Sequence, residues 1–239
     1  MEAGKVELKA DEKFGYLPDA LAKLGIRIDS QALVFSKTSF QAPLISPRNP
    51  RAIYFADDVA VGYVYTLKAQ DGKPKIERQA VCIQCHQGPA TAGVPGIFIG
   101  SVYPGTSGSP YMGTGAIVTD HRTKFEERWG GWYVNGMHGA MKHRGNAVAY
   151  DPAEPTKLDT VAAQNQMNLL RKHVPLANYL APVSDLVALM TLEHQTQMTN
   201  LFTRLEWEVR TGAPKEKVEA VVGEIVDYML FIDEAKITE

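Results

Sequence analysis

Residues 82–86 read Cys-Ile-Gln-Cys-His, and they open a glycine-rich stretch that runs to Asn146. The stretch carries four of the six histidines and two of the three tryptophans, yet it shows no clear helical or strand periodicity. Long irregular segments inside a compact domain usually have a function or are held in place by something bound to them. We therefore predict that the middle of the chain is organised around a bound cofactor.

The spacing of the two cysteines indicates which cofactor this is. Two thiols separated by two residues can add across the two vinyl groups of haem, and the histidine that follows can bind the iron through Nε2. We therefore predict one covalent haem c per chain, with its iron, held by Cys82, Cys85 and His86. The alternatives are a zinc site, which needs a further ligand from elsewhere, and a dithiol or disulfide pair, although no βαβ pattern surrounds the motif.

The segment before the motif favours β-structure. Residues rich in Val, Ile, Tyr and Phe predict strands, and a short helix that ends at Gly25 precedes them. The predicted strands are Gln31–Phe40, Arg51–Phe55 and Val59–Leu67, and the predicted helix is Tyr16–Leu24.

The last third of the chain favours helices. We predict helices over Thr160–His173, over Ser184–Arg210 with Ser184 as the N-cap, and over Pro214–Ile232. The predicted fold class is therefore α+β, with a β-leaning N-terminal part, an irregular glycine-rich haem-binding middle and C-terminal helices.

The expected domain organisation is simple. Residues 1–15 are predicted to be a loose N-terminal segment, and residues 16–239 a single haem-binding domain. Within that domain we expect a β-rich part at 30–70, a haem and loop region at 80–150 and a helical part at 158–234.

Composition excludes several classes of partner. The chain has 239 residues, of which 45% are apolar and 22% charged, and its net charge is −2 with mixed signs. A nucleic-acid partner would favour a basic excess, and the apolar runs are too short for a transmembrane segment.

The first residues, Met1-Glu-Ala-Gly-Lys, are polar and lack the apolar core of a secretion signal. Covalent haem attachment of this type takes place outside the cytoplasm. We therefore expect a periplasmic or otherwise extracytoplasmic protein from which the signal peptide has been removed.

Several runs between Tyr16 and Arg204 resemble an uncharacterised family of exported bacterial proteins that carry a single c-type haem and are cytochrome-like. The resemblance implies export and one covalent haem, and it brings no known substrate. The runs are Ser46–Phe55, Cys82–His86, Phe125–Gly139, His143–Asn146 and Leu186–Gln195.

The axial position opposite His86 decides between functions. A second strong ligand makes an electron carrier, whereas an open position makes a catalyst or gas binder. Our first choice for a distal ligand is His138, because the glycines around it permit a close approach to a flat ring. Met137 and Met141 are alternatives beside it.

Our second choice is His194 on the long predicted helix. It lies in one stripe with Met190 and Met198, at a spacing of four residues. Such a stripe is usually core packing, so the histidine either belongs to the core or faces the haem.

The surroundings of the haem are predicted from aromatic and basic residues. We expect Trp129 and Trp132 to anchor an irregular loop and at the same time to form a wall of the haem pocket. Arg144 is a candidate to pair with the haem propionates, as are Arg122 and Arg128.

The leading hypothesis is a single-haem redox protein that passes electrons to a redox partner protein through Fe(II) and Fe(III). The alternatives are a haem enzyme of the peroxidase or oxidase kind with an open distal site, possible because the chain is longer than one haem requires, and a haem-based sensor or partner-binding module. The sequence leaves the oligomeric state open.

Overall fold

All the described strands lie between residues 32 and 133, and they pair antiparallel. The two long helices follow at the end of the chain, which confirms the α+β prediction. The computed structural model describes residues 7–38, 51–55, 65–70, 73–78, 82–180 and 184–237. The strands there are β1 Ala32–Ser36, β2 Arg51–Phe55, β3 Tyr65–Gln70, β4 Lys73–Arg78, β5 Ile99–Ser101, β6 Ile117–Thr119 and β7 Trp132–Tyr133. The helices are α1 Leu17–Leu24, α2 Ile83–His86, α3 Leu169–His173, α4 Leu186–Arg210 and α5 Lys215–Met229.

The first sheet has the strand order β2-β1-β7, with β1 antiparallel to both neighbours. Successive side chains of β1 point to opposite faces, and both faces are covered. Leu33 and Phe35 pack against Leu170 on one face, whereas Val34 packs with Trp129 on the other. The central strand therefore contributes to two cores. The remaining strands form the antiparallel pairs β3–β4 and β5–β6.

Two adjacent glycines allow β7 to reach β1. A Cβ on Gly130 would lie 2.1 Å from the carbonyl oxygen of Val102, and Gly131 has a φ of +94°. The Gly131 carbonyl accepts a hydrogen bond from the Lys37 backbone N–H at 3.0 Å. Close backbone approach and a positive φ are the two situations that favour glycine.

The prediction that Ser184 caps α4 is wrong by one residue. Asp185 is the N-cap, and its side chain accepts a hydrogen bond from the Ala188 N–H at 2.8 Å. The buried Ser184 hydroxyl instead donates to the Tyr133 carbonyl at 2.7 Å and accepts from the Phe35 N–H at 3.1 Å. Ser184 therefore fastens the start of α4 to the first sheet.

The predicted helix over Thr160–His173 is wrong for residues 160–168, which form turns, and only α3 is helical there. Asn165 has a φ of +54°. Its side-chain amide donates to the Gly139 carbonyl and accepts from the His138 N–H. These bonds to the glycine-rich middle hold a conformation that an α-helix cannot contain.

The helices α4 and α5 pack against each other around Leu201, Val221, Ile225 and Tyr228, all of which are buried. The prediction of a helix over Pro214–Ile232 is confirmed apart from its ends. No helix in the ranges given above combines the length and apolarity needed to cross a membrane.

At the N-terminal side, α1 is confirmed and ends at Gly25, which has a φ of +70°. Before it, Asp11 and Gly15 pair with each other and Leu8 is buried. Residues 1–6 and most of the predicted strand Val59–Leu67 lie outside the described residues.

Candidate functional site

The cysteine–histidine motif forms a single helical turn, α2, with Cys82 immediately before it. Both thiols are free, Cys85 is exposed and Cys82 is half-buried. A thiol must be accessible to bond to a cofactor from solution. Neither cysteine of the motif is buried in the core.

The imidazole of His86 is held by the loop that follows it. His86 Nδ1 lies 2.9 Å from the carbonyl oxygen of Gly96. Because a carbonyl can only accept, Nδ1 donates its N–H to this bond, which in the neutral tautomer leaves the lone pair on Nε2. The Gly96 N–H in turn donates to the His86 carbonyl at 2.8 Å, and the His86 ring lies 5.4 Å from the ring of Phe98.

The turn after α2 is closed by its own hydrogen bonds. The buried hydroxyl of Thr91 accepts from the Gly88 N–H at 3.1 Å and donates to the Val94 carbonyl at 2.6 Å. Gln87 and Pro95 then pair across the turn. This turn returns the chain to His86.

A residue that the sequence analysis missed fixes the far side of this loop. Asn200 of α4, which is 1% exposed, accepts from the Ile97 N–H at 3.0 Å and donates to the Ile97 carbonyl at 2.7 Å. Its one sequence signal is a polar residue on the buried face of α4, seven positions after Glu193. That signal does not reveal which backbone the amide binds.

The first-choice distal ligand, His138, lies beside His143. The Asn165 N–H donates to His138 Nε2 at 3.2 Å, and His143 Nε2 lies 3.0 Å from the same atom. His138 Nε2 is therefore an acceptor, and His143 Nε2 donates to it. Burial and the neighbouring His138 lower the pKa of His143 to about 3, and burial lowers the pKa of His138. Both imidazoles are thus neutral at pH 7.

The second-choice ligand, His194, belongs to an aromatic cluster between α4 and α5. Its Nδ1 lies 3.1 Å from Nδ1 of His121, and its ring stacks on Phe231 and Tyr228 with centroids 4.3 and 4.8 Å away. Burial lowers the pKa of both His121 and His194. The nearby methionines, Met190 and Met198, pack against separate core clusters.

The structure shows no direct contact between His86 and either choice. In the described residues, which include all six histidines, no hydrogen bond or ring contact joins His86 to His138 or His194. Of the methionine alternatives, Met141 is buried in the core and Met137 is exposed. The assignment of a distal ligand stays a prediction.

The predicted wall residues are core residues. Trp129 is fully buried, and Trp132 is 7% exposed with its indole N–H donating to the Gly100 carbonyl at 2.9 Å. The Arg144 guanidinium lies over the Tyr103 ring at 4.4 Å, and its Nη1 atom is buried without a hydrogen-bond partner. The pairing of Arg144 with a propionate stays a prediction.

The suggestion that Arg128 pairs with a propionate is contradicted. Arg128 is 1% exposed, and it donates to Glu193 at 3.2 Å and to the carbonyls of Thr123 and His121 at 2.7 Å. The carboxylate of Glu193 is also fully buried, and burial, which outweighs the attraction of Arg128, raises the pKa of Glu193 to about 7. This pair joins α4 to the glycine-rich middle.

The donors of the motif fit a haem. The two thiols bond to carbon atoms of the porphyrin and only the imidazole binds iron, so the three donors need not converge. Among the residues the structure describes, no group of three or more His, Cys, Asp or Glu side chains converges as a metal-ion cage would require. Two free thiols beside an imidazole whose Nδ1 is already hydrogen-bonded are compatible with covalent haem.

Comparisons with protein-family models, with curated proteins and with solved structures found nothing that matches this chain.

Proposed function

We propose that this chain is an extracytoplasmic, single-haem protein of the c type that transfers electrons to a redox partner protein. Cys82 and Cys85 would hold the haem through thioether bonds, and His86 Nε2 would bind its iron. The observation that carries the proposal is the hydrogen bond of 2.9 Å between His86 Nδ1 and the Gly96 carbonyl.

That bond supports the proposal because of what it does to the imidazole. A histidine that binds a metal through one ring nitrogen usually donates the N–H of the other to a carbonyl or carboxylate, which fixes the tautomer and raises the basicity of the ligand. His86 has this second contact in place, and it follows directly after two free thiols. The resemblance to exported single-haem proteins supports the extracytoplasmic location.

When bound, the haem supplies a one-electron couple between Fe(II) and Fe(III). The chain contributes the ligand and its orientation. With haem bound, the Gly96 carbonyl would make the His86 imidazole a more basic ligand, which would favour the ferric form.

A second candidate is a haem enzyme or sensor with an exchangeable distal position. It is favoured by the hydrogen bonds of the two histidines nominated as distal ligands. His138 Nε2 already accepts from Asn165 and His143, and His194 Nδ1 contacts His121. If these bonds persist in the holoprotein, neither histidine is free to close the sixth position through those atoms.

Haem attachment is tested by expressing the full chain together with a complete cytochrome-maturation system. We expect coloured protein whose intact mass exceeds that of the polypeptide by one haem, and no covalent haem in the Cys82→Ala/Cys85→Ala variant. His86→Ala should change the spin state, whereas His173→Ala, at an exposed histidine, should not. Colourless wild-type protein at the mass of the bare polypeptide would refute the proposal.

The two candidates are separated by ligand binding. We record the optical spectra of the ferric and ferrous forms and then add carbon monoxide or cyanide. A six-coordinate low-spin spectrum that is unchanged by either ligand supports electron transfer. A high-spin spectrum with immediate carbon monoxide binding favours the enzyme or sensor. In a low-spin protein, the variants His138→Ala and His194→Ala show which histidine, if either, is the distal ligand.

A further inference from the structure

On the basis of the proposed haem attachment, we infer that Asn200 is a positioning residue for His86. Its side-chain amide fixes the Gly96–Ile97 backbone, and that backbone keeps the Gly96 carbonyl on His86 Nδ1. Asn200 therefore tunes the reduction potential of the haem, although it lies on α4, outside the motif.

The side-chain amide of Asn200 hydrogen-bonds to both backbone groups of Ile97. Its Oδ1 accepts from the Ile97 N–H at 3.0 Å, and its Nδ2 donates to the Ile97 carbonyl at 2.7 Å. Only an amide side chain offers an acceptor and a donor in this arrangement. The site is 1% exposed, so water does not compete for these bonds.

Ile97, which Asn200 binds, directly follows Gly96, which contacts His86. Gly96 uses its N–H on the His86 carbonyl at 2.8 Å and its carbonyl on His86 Nδ1 at 2.9 Å. All four polar groups of Gly96 and Ile97 are thus occupied, two by His86 and two by Asn200. The segment has little freedom to move along α4 without breaking one of these bonds.

The absence of a side chain at Gly96 makes this contact possible. A Cβ at Gly96 would lie 2.1 Å from Oδ1 of Asn200 and 3.1 Å from the Thr91 side chain. The φ of Gly96 is not positive, so a left-handed conformation does not explain the glycine. Its role is to let the amide of Asn200 approach the backbone.

The direction of the effect follows from the chemistry of the axial ligand. A strong Nδ1–H···O=C bond makes the imidazole more basic and stabilises Fe(III), which lowers the potential. Loosening the Gly96 carbonyl therefore raises the potential. A helix-to-loop contact with no influence on His86 would change stability and leave the potential unaltered.

The test uses full-length protein prepared with the maturation system, and it compares Asn200→Leu, Asn200→Asp and Gly96→Ala. Asn200→Leu loses both bonds, Asn200→Asp keeps only the acceptor, and Gly96→Ala displaces the amide from the opposite side. Thr203→Val is the matched control, because the only bond of the Thr203 hydroxyl within the described part of the chain is to the Thr199 carbonyl of its own helix. The readouts are the midpoint potential and the ¹⁵N and ¹H resonances of the His86 ring.

We expect the potential to rise most in Asn200→Leu and less in Asn200→Asp, where the negative charge of the new carboxylate opposes the rise. Gly96→Ala should shift it in the same direction as Asn200→Leu, and Thr203→Val should not shift it. The Nδ1–H resonance of His86 should weaken or move in the same order. If Asn200→Leu does not fold, Asn200→Asp and Gly96→Ala decide. Unchanged potentials and unchanged His86 resonances in the folded variants overturn the inference.

The ring resonances separate this inference from the proposed function. Should the wild-type chain remain colourless, the haem proposal fails, and the Nδ1–H signal still reports whether Asn200 holds the Gly96 carbonyl on His86. Should the chain bind haem and the variants behave like wild type, only the role of Asn200 fails.

Discussion

Lys37 is a cation inside the protein. It is 2% exposed, its ammonium donates to the Ala147 carbonyl at 3.2 Å, and it lies 5.6 Å from the centre of the Tyr133 ring. Among the described residues no carboxylate pairs with it. Burial lowers the pKa of Lys37 from its ordinary value of 10.5 to about 8.

This shift predicts how the stability depends on pH. The folded pKa is below the unfolded one, so between pH 8 and 10.5 the unfolded chain binds more protons at this residue. The free energy of unfolding therefore rises as the pH increases from 8 to 10.5. This gain in stability is lost as the pH falls back through 8. We expect Lys37→Met to remove the rise and to raise the free energy of unfolding at pH 7 by roughly 1–3 kcal/mol.

Urea unfolding at a series of pH values measures this difference. The control is Lys172→Met, at an exposed lysine of α3, which should change the free energy of unfolding by less than about 0.5 kcal/mol. A Lys37→Met protein that is less stable than wild type at pH 7, with the same slope above pH 8, contradicts the prediction.

At the scale of the element, the start of α4 depends on two neighbouring side chains with different tasks. Asp185→Ala removes the cap of the helix and should cost about 1 kcal/mol. Ser184→Ala leaves the buried Phe35 N–H without its hydroxyl partner and should cost about 1–3 kcal/mol. Chemical denaturation of both variants measures the two costs.

The matched control for the cap is Asp185→Asn, because asparagine caps helices as well as aspartate does. It should keep most of the stability that Asp185→Ala loses. Equal losses in Asp185→Asn and Asp185→Ala would show that the carboxylate acts through its charge and not as a cap.

The helices could be predicted from the sequence as far as local signals extend. The existence of α1, α4 and α5 follows from amphipathic spacing, and the C-terminal ends of α1 and α4 follow from Gly25 and Gly212. The prediction failed at residues 160–168, where Asn165 bonds to His138 and Gly139. Tertiary hydrogen bonds of this kind have no periodic signature, so they override a local helical pattern.

For the candidate site, the sequence predicts the reactive groups but not the residues that position them. The thiols and imidazole of residues 82–86 could be predicted because the motif is contiguous. The contact between Asn200 and Ile97 spans 103 residues, and nothing in either neighbourhood indicates the other. The pairing of His194 with His121, 73 residues apart, was missed for the same reason. The pairing of His138 with His143 is local, and it was missed because an irregular loop has no periodicity that would show which side chains meet.

At the scale of the whole molecule, the strands, the glycine-rich middle and the helices interlock. Ser184 binds the first sheet, Asn200 binds the loop after His86, and the Ala235 N–H donates to the His121 carbonyl at 3.0 Å. Because these contacts link all three parts, we predict that residues 16–239 unfold in one cooperative transition.

Tryptophan fluorescence and far-ultraviolet circular dichroism test this prediction in urea. In Trp207→Phe, fluorescence reports only Trp129 and Trp132 of the middle region, whereas the dichroism is dominated by α4 and α5. The two curves should coincide in this variant and in wild type. A helical signal that is lost at a different urea concentration would mean that the C-terminal helices form a separate unit.

The buried pair of Arg128 and Glu193 limits the substitutions that the protein interior can accept. Loss of Glu193 strands the Arg128 charge away from water, at a cost of about 3–5 kcal/mol, which is a large fraction of the 5–15 kcal/mol or so by which an ordinary domain is stable. Loss of Arg128 leaves the buried carboxyl of Glu193 without its charged donor. Well-packed apolar replacements at both positions can instead be neutral. Related sequences should therefore keep both Arg128 and Glu193 or replace both. Substitutions at these two positions, which are 65 residues apart, should occur together.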